Sequence, residues 1–173
     1  MLLLSDNNSV GGIEFIKNIT DDYAHSEYDM NLDMDAIHKC NFNNLIFRKA
    51  ALEDVNKITK ANFEFFCQGD IKDIALGRTY LFETNNAVIG KVRLEITDNI
   101  GGIYGLEVLP DYRGKGYGRE LLILSINKLK ESNVKAINLQ VETKNKNALN
   151  LYKSCGFKEN YIMDYYRIKK DVI

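Results

Sequence analysis

The chain has 173 residues, of which 45% are apolar and 27% are charged, and its formal net charge at pH 7 is −1. This composition is typical of a folded globular protein, the balanced charge argues against a nucleic-acid partner, and no apolar run is long enough to cross a membrane. Three widely spaced cysteines without a CxxC pair favour reduced thiols and a cytoplasmic location, and the presence of only two histidines, His25 and His38, argues against a metal site or a Ser-His-Asp triad.

The first forty residues predict a strand, a helix and a second strand. Residues 1–35 align with residues 139–173 at an offset of 138, and apolar positions correspond along the alignment. Four pairs are identical: Asn7 with Asn145, Tyr23 with Tyr161, Tyr28 with Tyr166, and Asp33 with Asp171. An internal repeat and a chance similarity both stay open at this point, because many offsets can be tried.

Strands dominate the predicted structure between residues 44 and 109. The run "NLIFRKA" (44–50) predicts a strand, and the apolar spacing over 51–66 predicts a helix. Two β-rich runs within 79–97 meet at Asn85 and Asn86, which tolerate a left-handed turn, and therefore predict a hairpin. The run "GGIYGLEVL" (101–109) is apolar enough for a central strand.

The second half of the chain alternates helices and strands. Residues 116–131 predict a helix with an apolar stripe, residues 135–141 a strand, and residues 145–157 a helix that stops at Gly156. An aromatic-rich strand is predicted over 160–170. The order of the elements predicts an α/β fold, with a central mixed β-sheet flanked by helices.

The stretch "VLPDYRGKGYGREL" (108–121) predicts an anion-binding loop. A strand, a glycine-rich loop and a helix follow one another, so unpaired amides at the helix N-terminus point towards a ligand and the helix dipole favours negative charge. The glycines are Gly114, Gly116 and Gly118, and the flanking cations are Arg113, Lys115 and Arg119. Because the glycines alternate as G-x-G-x-G, the spacing fits neither the P-loop nor the dinucleotide-binding motif. We therefore expect a phosphate or pyrophosphate ligand.

This stretch resembles the acetyl-CoA signature of the GNAT superfamily of N-acetyltransferases, in which Arg or Gln is followed at fixed spacing by Gly and by Gly or Ala. Arg113, Gly116 and Gly118 occupy those positions. A second stretch, "VETKNKNALNLYKSCGF" (141–157), is similar to the second signature of the family, with Asn145, Tyr152, Gly156 and Phe157 in the matching places. The resemblance covers roughly residues 45 to 170 and implies a complete acetyltransferase domain over 44–173.

The resemblance implies that acetyl-CoA is the cosubstrate and that no metal takes part. The main chain of Leu106, Glu107 and Val108 would pair with the pantetheine arm, and Asn145 would hydrogen-bond to it. Tyr152 would lie near the sulfur. Beside Arg113, the pyrophosphate would be held by the amides of Gly114, Lys115, Gly116, Tyr117, Gly118 and Arg119.

Acetyl transfer from a thioester requires a neutral amine and a proton for the leaving thiolate. Tyr152 is the expected proton donor: a phenol with a pKa of ~10 protonates a thiolate with a pKa of ~8.5 only if the site shifts the balance, and burial is expected to do so. Glu107 is the expected base, with Glu142 and a water chain as alternatives. Relatives that acetylate N-terminal amines of ribosomal proteins carry a Glu at the position of Gln140, which weakens the resemblance to that subfamily. In the alternative interpretation, Tyr152 is a core residue and Glu107 a surface acid.

The expected acceptor is a primary amine, on a protein N-terminus, a lysine or a small molecule. Aromatic residues within 62–70, together with Tyr161, Tyr165 and Tyr166, are candidates for the walls of its pocket. The alternative function is a catalytically silent sensor or scaffold that binds acyl-CoA. Cys155 is not expected to act as a nucleophile, since no histidine partner is available to activate it.

Residues 1–40 resemble the C-terminal part of a preceding GNAT domain, as found in tandem members of the family. The segment has no glycine loop of its own, so we do not expect it to bind acetyl-CoA. We expect it to pack against the complete domain or to exchange with a second chain in a homodimer, because the edge of its half-sheet needs a cover.

Overall fold

The computed structural model describes residues 2–20, 22–35, 45–61, 63 and 68–168. Its strands are β1 (Leu2–Asp6), β2 (Tyr23–Leu32), β3 (Ile46–Lys49), β4 (Thr79–Thr84), β5 (Ala87–Thr97), β6 (Ile100–Val108), β7 (Ala136–Glu142) and β8 (Phe157–Arg167). Its helices are α1 (Val10–Lys17), α2 (Val55–Ala61), α3 (Gln68–Ala75), α4 (Tyr117–Lys130) and α5 (Lys146–Ser154). Among these helices, none is long and apolar enough to cross a membrane. The alternation of strands and helices confirms the predicted α/β class.

The chain forms two compact units. The first consists of Met1–Asp33 and Leu139–Ile173, and the second of Met34–Asn138. In the first unit the strand order is β1-β8-β2-β7, and β8 runs antiparallel to both β1 and β2. In the second unit the order is β6-β5-β4-β3, and each pair is antiparallel.

The strand register of the first unit has an approximate two-fold symmetry. Ser26 of β2 lies opposite Asp164 of β8, and the two side chains are hydrogen-bonded. Ser5 lies opposite the same aspartate in the β1–β8 ladder, while the Thr143 amide, just after β7, donates to the Ser26 carbonyl. Positions 5 and 143, and positions 26 and 164, are each separated by 138 residues. This is the relation that a repeat at that offset requires.

A polar side chain caps the N-terminus of each of the two helices in the first unit. The Ser9 hydroxyl accepts a hydrogen bond from the Gly12 amide at 3.3 Å, and the Asn145 side chain accepts one from the Ala148 amide at 3.1 Å. Such caps satisfy amides that the helix itself leaves unpaired. After α5, Gly156 adopts a φ of 87°, which permits the turn into β8.

Two tight hairpins build the sheet of the second unit. The predicted turn at Asn85 and Asn86 is confirmed, with φ values of 49° and 61°. Asp98 and Asn99 make a second turn of the same kind, with φ values of 51° and 63°, and join β5 to β6. Positive φ at both central residues gives the backbone twist that suits a two-residue hairpin.

Helices cover both faces of this sheet. A Cβ atom added to Gly90 on β5 would lie 3.2 Å from the Leu121 side chain, so this face meets α4. On the opposite face α2 and α3 contribute to an apolar cluster of Ala50, Ile58, Phe63, Ile74, Leu81 and Val88. Apolar burial of this kind is the main stabilising contribution in a fold of this size.

Two predicted boundaries differ from the structure. The helix predicted over 51–66 is a 3-10 turn at Leu52–Asp54 followed by α2 (Val55–Ala61), and positions 62 and 64–66 of the prediction lie outside the described residues. The turn forms there because the Asp54 carboxylate accepts the Ala51 amide at 2.9 Å and also binds Arg48. The final strand, predicted from residue 160, begins at Phe157, directly after the Gly156 turn.

Candidate active site

A β-bulge lies in β6 shortly before the predicted base. Lys91 of β5 lies opposite Glu107, whereas Arg93 lies opposite Tyr104, so β6 contains one extra residue between these pairs. Gly105 lies within the extra stretch and adopts a φ of 55°. A bulge bends its strand and changes the direction of the following side chains. It therefore determines where the main chain of Leu106 to Val108 points.

The predicted glycine loop has the geometry of an open cradle. Gly114 and Gly116 adopt φ values of 75° and 87°, which only glycine reaches without strain. The amides of Arg119 and Glu120 both donate to the Gly116 carbonyl, and this begins α4. A Cβ atom added to Gly114 would meet no other atom within 4 Å. The backbone at this point is open to a ligand, and amides ahead of a helix suit an anion.

Side chains of the loop hold its main chain in place. Arg113 Nε donates to the Val108 carbonyl at 2.8 Å, and Lys115 Nζ donates to the Asp111 carbonyl at 2.9 Å. The Tyr117 ring packs 6.2 Å from the ring of Tyr112. Two of these contacts are made by cationic side chains, and positive charge on the loop suits an anionic ligand.

Glu107 is buried beside a lysine. Its residue is 7% exposed, and its Oε2 atom lies 3.8 Å from Lys91 Nζ. The same ammonium lies 3.6 Å from Asp70 Oδ1 in α3 and 5.7 Å from the centre of the Phe63 ring. Lys91, Asp70 and Glu107 are called the lysine cluster below. The structure thus places Glu107 in the interior, whereas the alternative interpretation expected a surface acid.

Tyr152 is a buried residue of α5, and its ring centre lies 6.1 Å from that of Phe157. Burial raises the pKa of the phenol to about 12. This corrects one expectation: burial by itself makes the phenol a weaker acid, because it disfavours the charged phenolate. The hydroxyl is therefore protonated at neutral pH, the form that donates a hydrogen bond.

The remaining candidates lie at the start of α5 and along β7. Asn145 is exposed and uses its side-chain oxygen as the helix cap, so its amide nitrogen is the group that can donate to a ligand. Glu142 and Gln140 are exposed on β7. Asn145, Tyr152 and Glu142 belong to the first unit, while Glu107 and the glycine loop belong to the second. In the part of the chain that the structure describes, no group of three His, Cys, Asp or Glu residues could hold a metal ion.

The geometry agrees with the family comparison. Residues 48–157 match the family described as Acetyltransferase (GNAT) family. The chain belongs to this family. The resemblance predicted from the two signatures is thereby confirmed, and acetyl-CoA is the donor that the family uses.

Two relatives illustrate the range of similarity. An N-alpha-acetyltransferase of Sulfurisphaera tokodaii is 30% identical over 141 residues, which cover 69% of this chain and 83% of that protein. A mycothiol acetyltransferase of Propionibacterium freudenreichii is 44% identical over 57 residues, which cover 33% of this chain. The match spans only 18% of the mycothiol enzyme.

Solved structures share the fold at low sequence identity. A GNAT-family acetyltransferase from Colwellia psychrerythraea has a TM-score of 0.76 at 10% identity, covering 96% of this chain and 64% of its own. The PaiA N-acetyltransferase of Thermoplasma acidophilum, in complex with coenzyme A, has a TM-score of 0.57 at 18% identity. That match covers 71% of this chain and 99% of the PaiA chain.

Proposed function

We propose that this protein is an N-acetyltransferase that transfers the acetyl group of acetyl-CoA to a primary amine by direct attack in a ternary complex. The observation that carries the proposal is the buried carboxylate of Glu107, one residue before the end of a strand that leads into the open glycine loop. A proton acceptor and an anion cradle then lie on one continuous stretch of chain.

The loop residues are the proposed holders of the cosubstrate. The amides from Gly114 to Arg119 would bind the pyrophosphate, with Arg113 and Lys115 supplying positive charge. Leu106 and Val108 would pair with the pantetheine arm through their main chain. The side-chain amide of Asn145 would donate a hydrogen bond to the same arm.

Acetyl-CoA supplies an activated acyl group, and two protons must leave the acceptor ammonium group in the course of the transfer. Glu107 takes one from the acceptor ammonium, which leaves a neutral amine. Glu142 is the weaker candidate for this role, since it is exposed on β7. Tyr152 donates a hydrogen bond to the leaving sulfur. Its pKa of about 12 is above the ~8.5 of a free thiol, so we assign it hydrogen bonding to the sulfur. As the C–N bond forms and the C–S bond breaks, the second proton leaves the amine nitrogen and ends on the thiolate, which departs as free CoA thiol.

The names of the relatives guide the choice of acceptor. The relative that matches over most of its length is an N-alpha-acetyltransferase, which favours α-amino groups of peptides as the first acceptors to test. The mycothiol acetyltransferase matches over a much shorter stretch, so small-molecule amines come second. The presence of Gln140 on β7 distinguishes this chain from enzymes that carry a Glu there.

We further propose that residues 1–40 derive from a preceding GNAT domain. The two-fold register around Ser26 and Asp164 supports this origin. The longer Colwellia chain covers 96% of this chain, whereas the shorter PaiA chain covers 71%. Because β2 lies between β8 and β7, deletion of residues 2–40 should cause aggregation or a change of mass in light scattering. A soluble truncated protein of unchanged oligomeric state would contradict the expectation that this segment packs against the complete domain or exchanges with a second chain in a homodimer.

Calorimetric titration with acetyl-CoA, followed by a thiol-release screen over peptides and amines, tests the main proposal. We expect binding of acetyl-CoA and turnover with at least one amine. Tyr152→Phe should lower kcat by about 10²-fold while acetyl-CoA affinity is kept, and Tyr23→Phe, at an exposed tyrosine, should lower neither. Binding without turnover across the screen would favour the sensor function instead.

A further inference from the structure

Lys91 is a buried cation that neither family signature contains. Its side chain is 5% exposed and approaches two carboxylates, that of Glu107 on the neighbouring strand and that of Asp70 on α3. Because Gly90 faces α4, the alternation of side chains along β5 directs Lys91 to the opposite face of the sheet. A lysine is rarely buried unless it is paired with opposite charge, so the lysine cluster calls for an explanation.

We propose that Lys91 is a positioning residue for acetyl transfer: its ammonium group keeps Glu107 charged and oriented, ready to accept a proton from the amine. The inference rests on the proposed function, in which Glu107 is the base. It adds a residue from β5 to the part of the proposed site that lies on β6 and the glycine loop.

Two opposing effects act on Glu107. Burial disfavours a charged carboxylate, and an ammonium group nearby favours it. With Lys91 in place, the acceptor ammonium gives one proton to the carboxylate, which becomes a neutral carboxylic acid. The electron pair of the broken N–H bond stays on nitrogen and is available for attack on the acyl carbon. Substitution of Lys91 would remove the positive charge 3.8 Å from Glu107 Oε2 and leave the carboxylate buried.

Other charged groups lie on the same two elements, β5 and α3. Asp73 of α3 lies 3.6 Å from Arg93 Nε, and Arg93 also binds Glu95 at 2.7 Å. Arg93 lies two positions after Lys91 on β5 and reaches the same helix, but its ion pairs are with Asp73 and Glu95. It therefore provides a matched control: Arg93→Met removes a cation from this face without removing the one beside Glu107.

Carbon-13 NMR of the glutamate side-chain carboxyl groups tests the inference without any acceptor. The Glu107 resonance is assigned by its absence in Glu107→Gln and is followed against pH. We expect the titration midpoint in Lys91→Met to lie at least about one pH unit above that of the wild type. Lys91→Arg should restore a midpoint near the wild-type value, and Arg93→Met should leave it unchanged.

Kinetics supply the second measurement, using thiol release with the most active amine of the screen. In Lys91→Met the acidic limb of the kcat/KM profile should move to higher pH and the rate should recover under alkaline conditions. A purely structural defect would lower the rate at every pH. The inference would be overturned if, in Lys91→Met, both the Glu107 titration midpoint and the acidic limb of the kcat/KM profile matched those of the wild type.

Two outcomes separate this inference from the function on which it rests. If Glu107→Gln keeps full turnover, Glu107 is not the base, and both the proposed mechanism and the inference fail. If Glu107→Gln is inactive but Glu107 has the wild-type titration midpoint in Lys91→Met, only the inference fails. Should Lys91→Met not fold, Asp70→Asn replaces it, because loss of the competing carboxylate should lower the Glu107 midpoint. A midpoint that stays or rises in Asp70→Asn would overturn the inference.

Discussion

Two of the charge clusters in the second unit each place one cation between an aspartate and a glutamate, but their geometry differs. In one of them, called the arginine cluster, Arg48 binds Asp54 at 2.7 and 2.9 Å and Glu83 at 2.7 and 3.2 Å. In the lysine cluster the corresponding distances are 3.6 and 3.8 Å. The arginine cluster joins β3, β4 and the 3-10 turn before α2, whereas the lysine cluster joins β5, β6 and α3.

The different geometry of the arginine and lysine clusters indicates different roles in the protein. A guanidinium group makes two parallel hydrogen bonds to a carboxylate, which fixes both groups and occupies their lone pairs. An ammonium group at a longer distance acts as a point charge, without the fixed bidentate geometry of a guanidinium. We therefore expect the arginine cluster to stabilise the fold and the lysine cluster to serve the reaction.

The largest effect is expected from Arg48→Met. Removing the guanidinium leaves Asp54 and Glu83 buried without their partner, and should lower the free energy of unfolding by about 3 kcal/mol. Lys57→Met is the matched control, because Lys57 is an exposed cation 3.8 Å from the same aspartate. Its loss should cost less than about 0.5 kcal/mol. Urea unfolding of both variants measures the difference, and equal losses would contradict a structural role for the arginine geometry.

The second-largest effect is expected from lowering the pH, which should weaken the arginine cluster. Hydrogen bonding to Arg48 holds the pKa of Asp54 at about 2 in the folded protein, below its ordinary value of ~3.9. A lowered folded pKa contributes stability above the unfolded value, and this contribution is lost as pH falls through about 2. It amounts to about 2 kcal/mol, of which about 1 kcal/mol should be gone at pH 3. Urea unfolding at pH 5 and pH 3 should show a smaller decrease in Arg48→Met than in the wild type. An identical decrease in the two proteins would contradict the assignment.

Cations of the glycine loop can be compared with the arginine and lysine clusters. We expect a smaller effect from substituting them. Lys115 donates to the main-chain carbonyl of Asp111 instead of pairing with a carboxylate in that contact. Lys115→Glu should therefore leave unfolding nearly unchanged but weaken acetyl-CoA binding about tenfold, which corresponds to about 1.4 kcal/mol. Lys135→Glu, an exposed position before β7, controls for the change in net charge. Equal affinity of the two variants in calorimetric titration would contradict the proposed cradle.

Local signals explain what the sequence predicted well. The Asn85-Asn86 turn, the stop at Gly156 and the glycine loop each depend on backbone conformations that a few residues specify. The lysine cluster depends on the register of the β5–β6 hairpin, which the Asp98-Asn99 turn and the bulge at Gly105 set together. A shift of one residue would separate Lys91 from Glu107. The only signal for the bulge was a glycine within an otherwise apolar strand.

The helix α3 was difficult to predict for a related reason. Its sequence, "QGDIKDIA", has few apolar residues, and only Ile74 among them is buried. Asp70 and Asp73 meet Lys91 and Arg93, so ion pairs with β5 contribute to its position. Such pairs become visible only when the partner strand is in place. The same limit applied to Glu107, whose burial excludes a surface acid, while its role as base stays a proposal.

A paired substitution tests the central distinction most directly: Glu107→Gln in the lysine cluster against Glu83→Gln in the arginine cluster. Each variant replaces one buried carboxylate by an amide of the same shape. Thiol release and thermal unfolding are measured on both proteins. We predict that Glu107→Gln loses at least about 10²-fold in kcat with little change in Tm, whereas Glu83→Gln lowers Tm and keeps kcat. Full turnover in Glu107→Gln, or equal loss of activity in the two variants, would contradict the account.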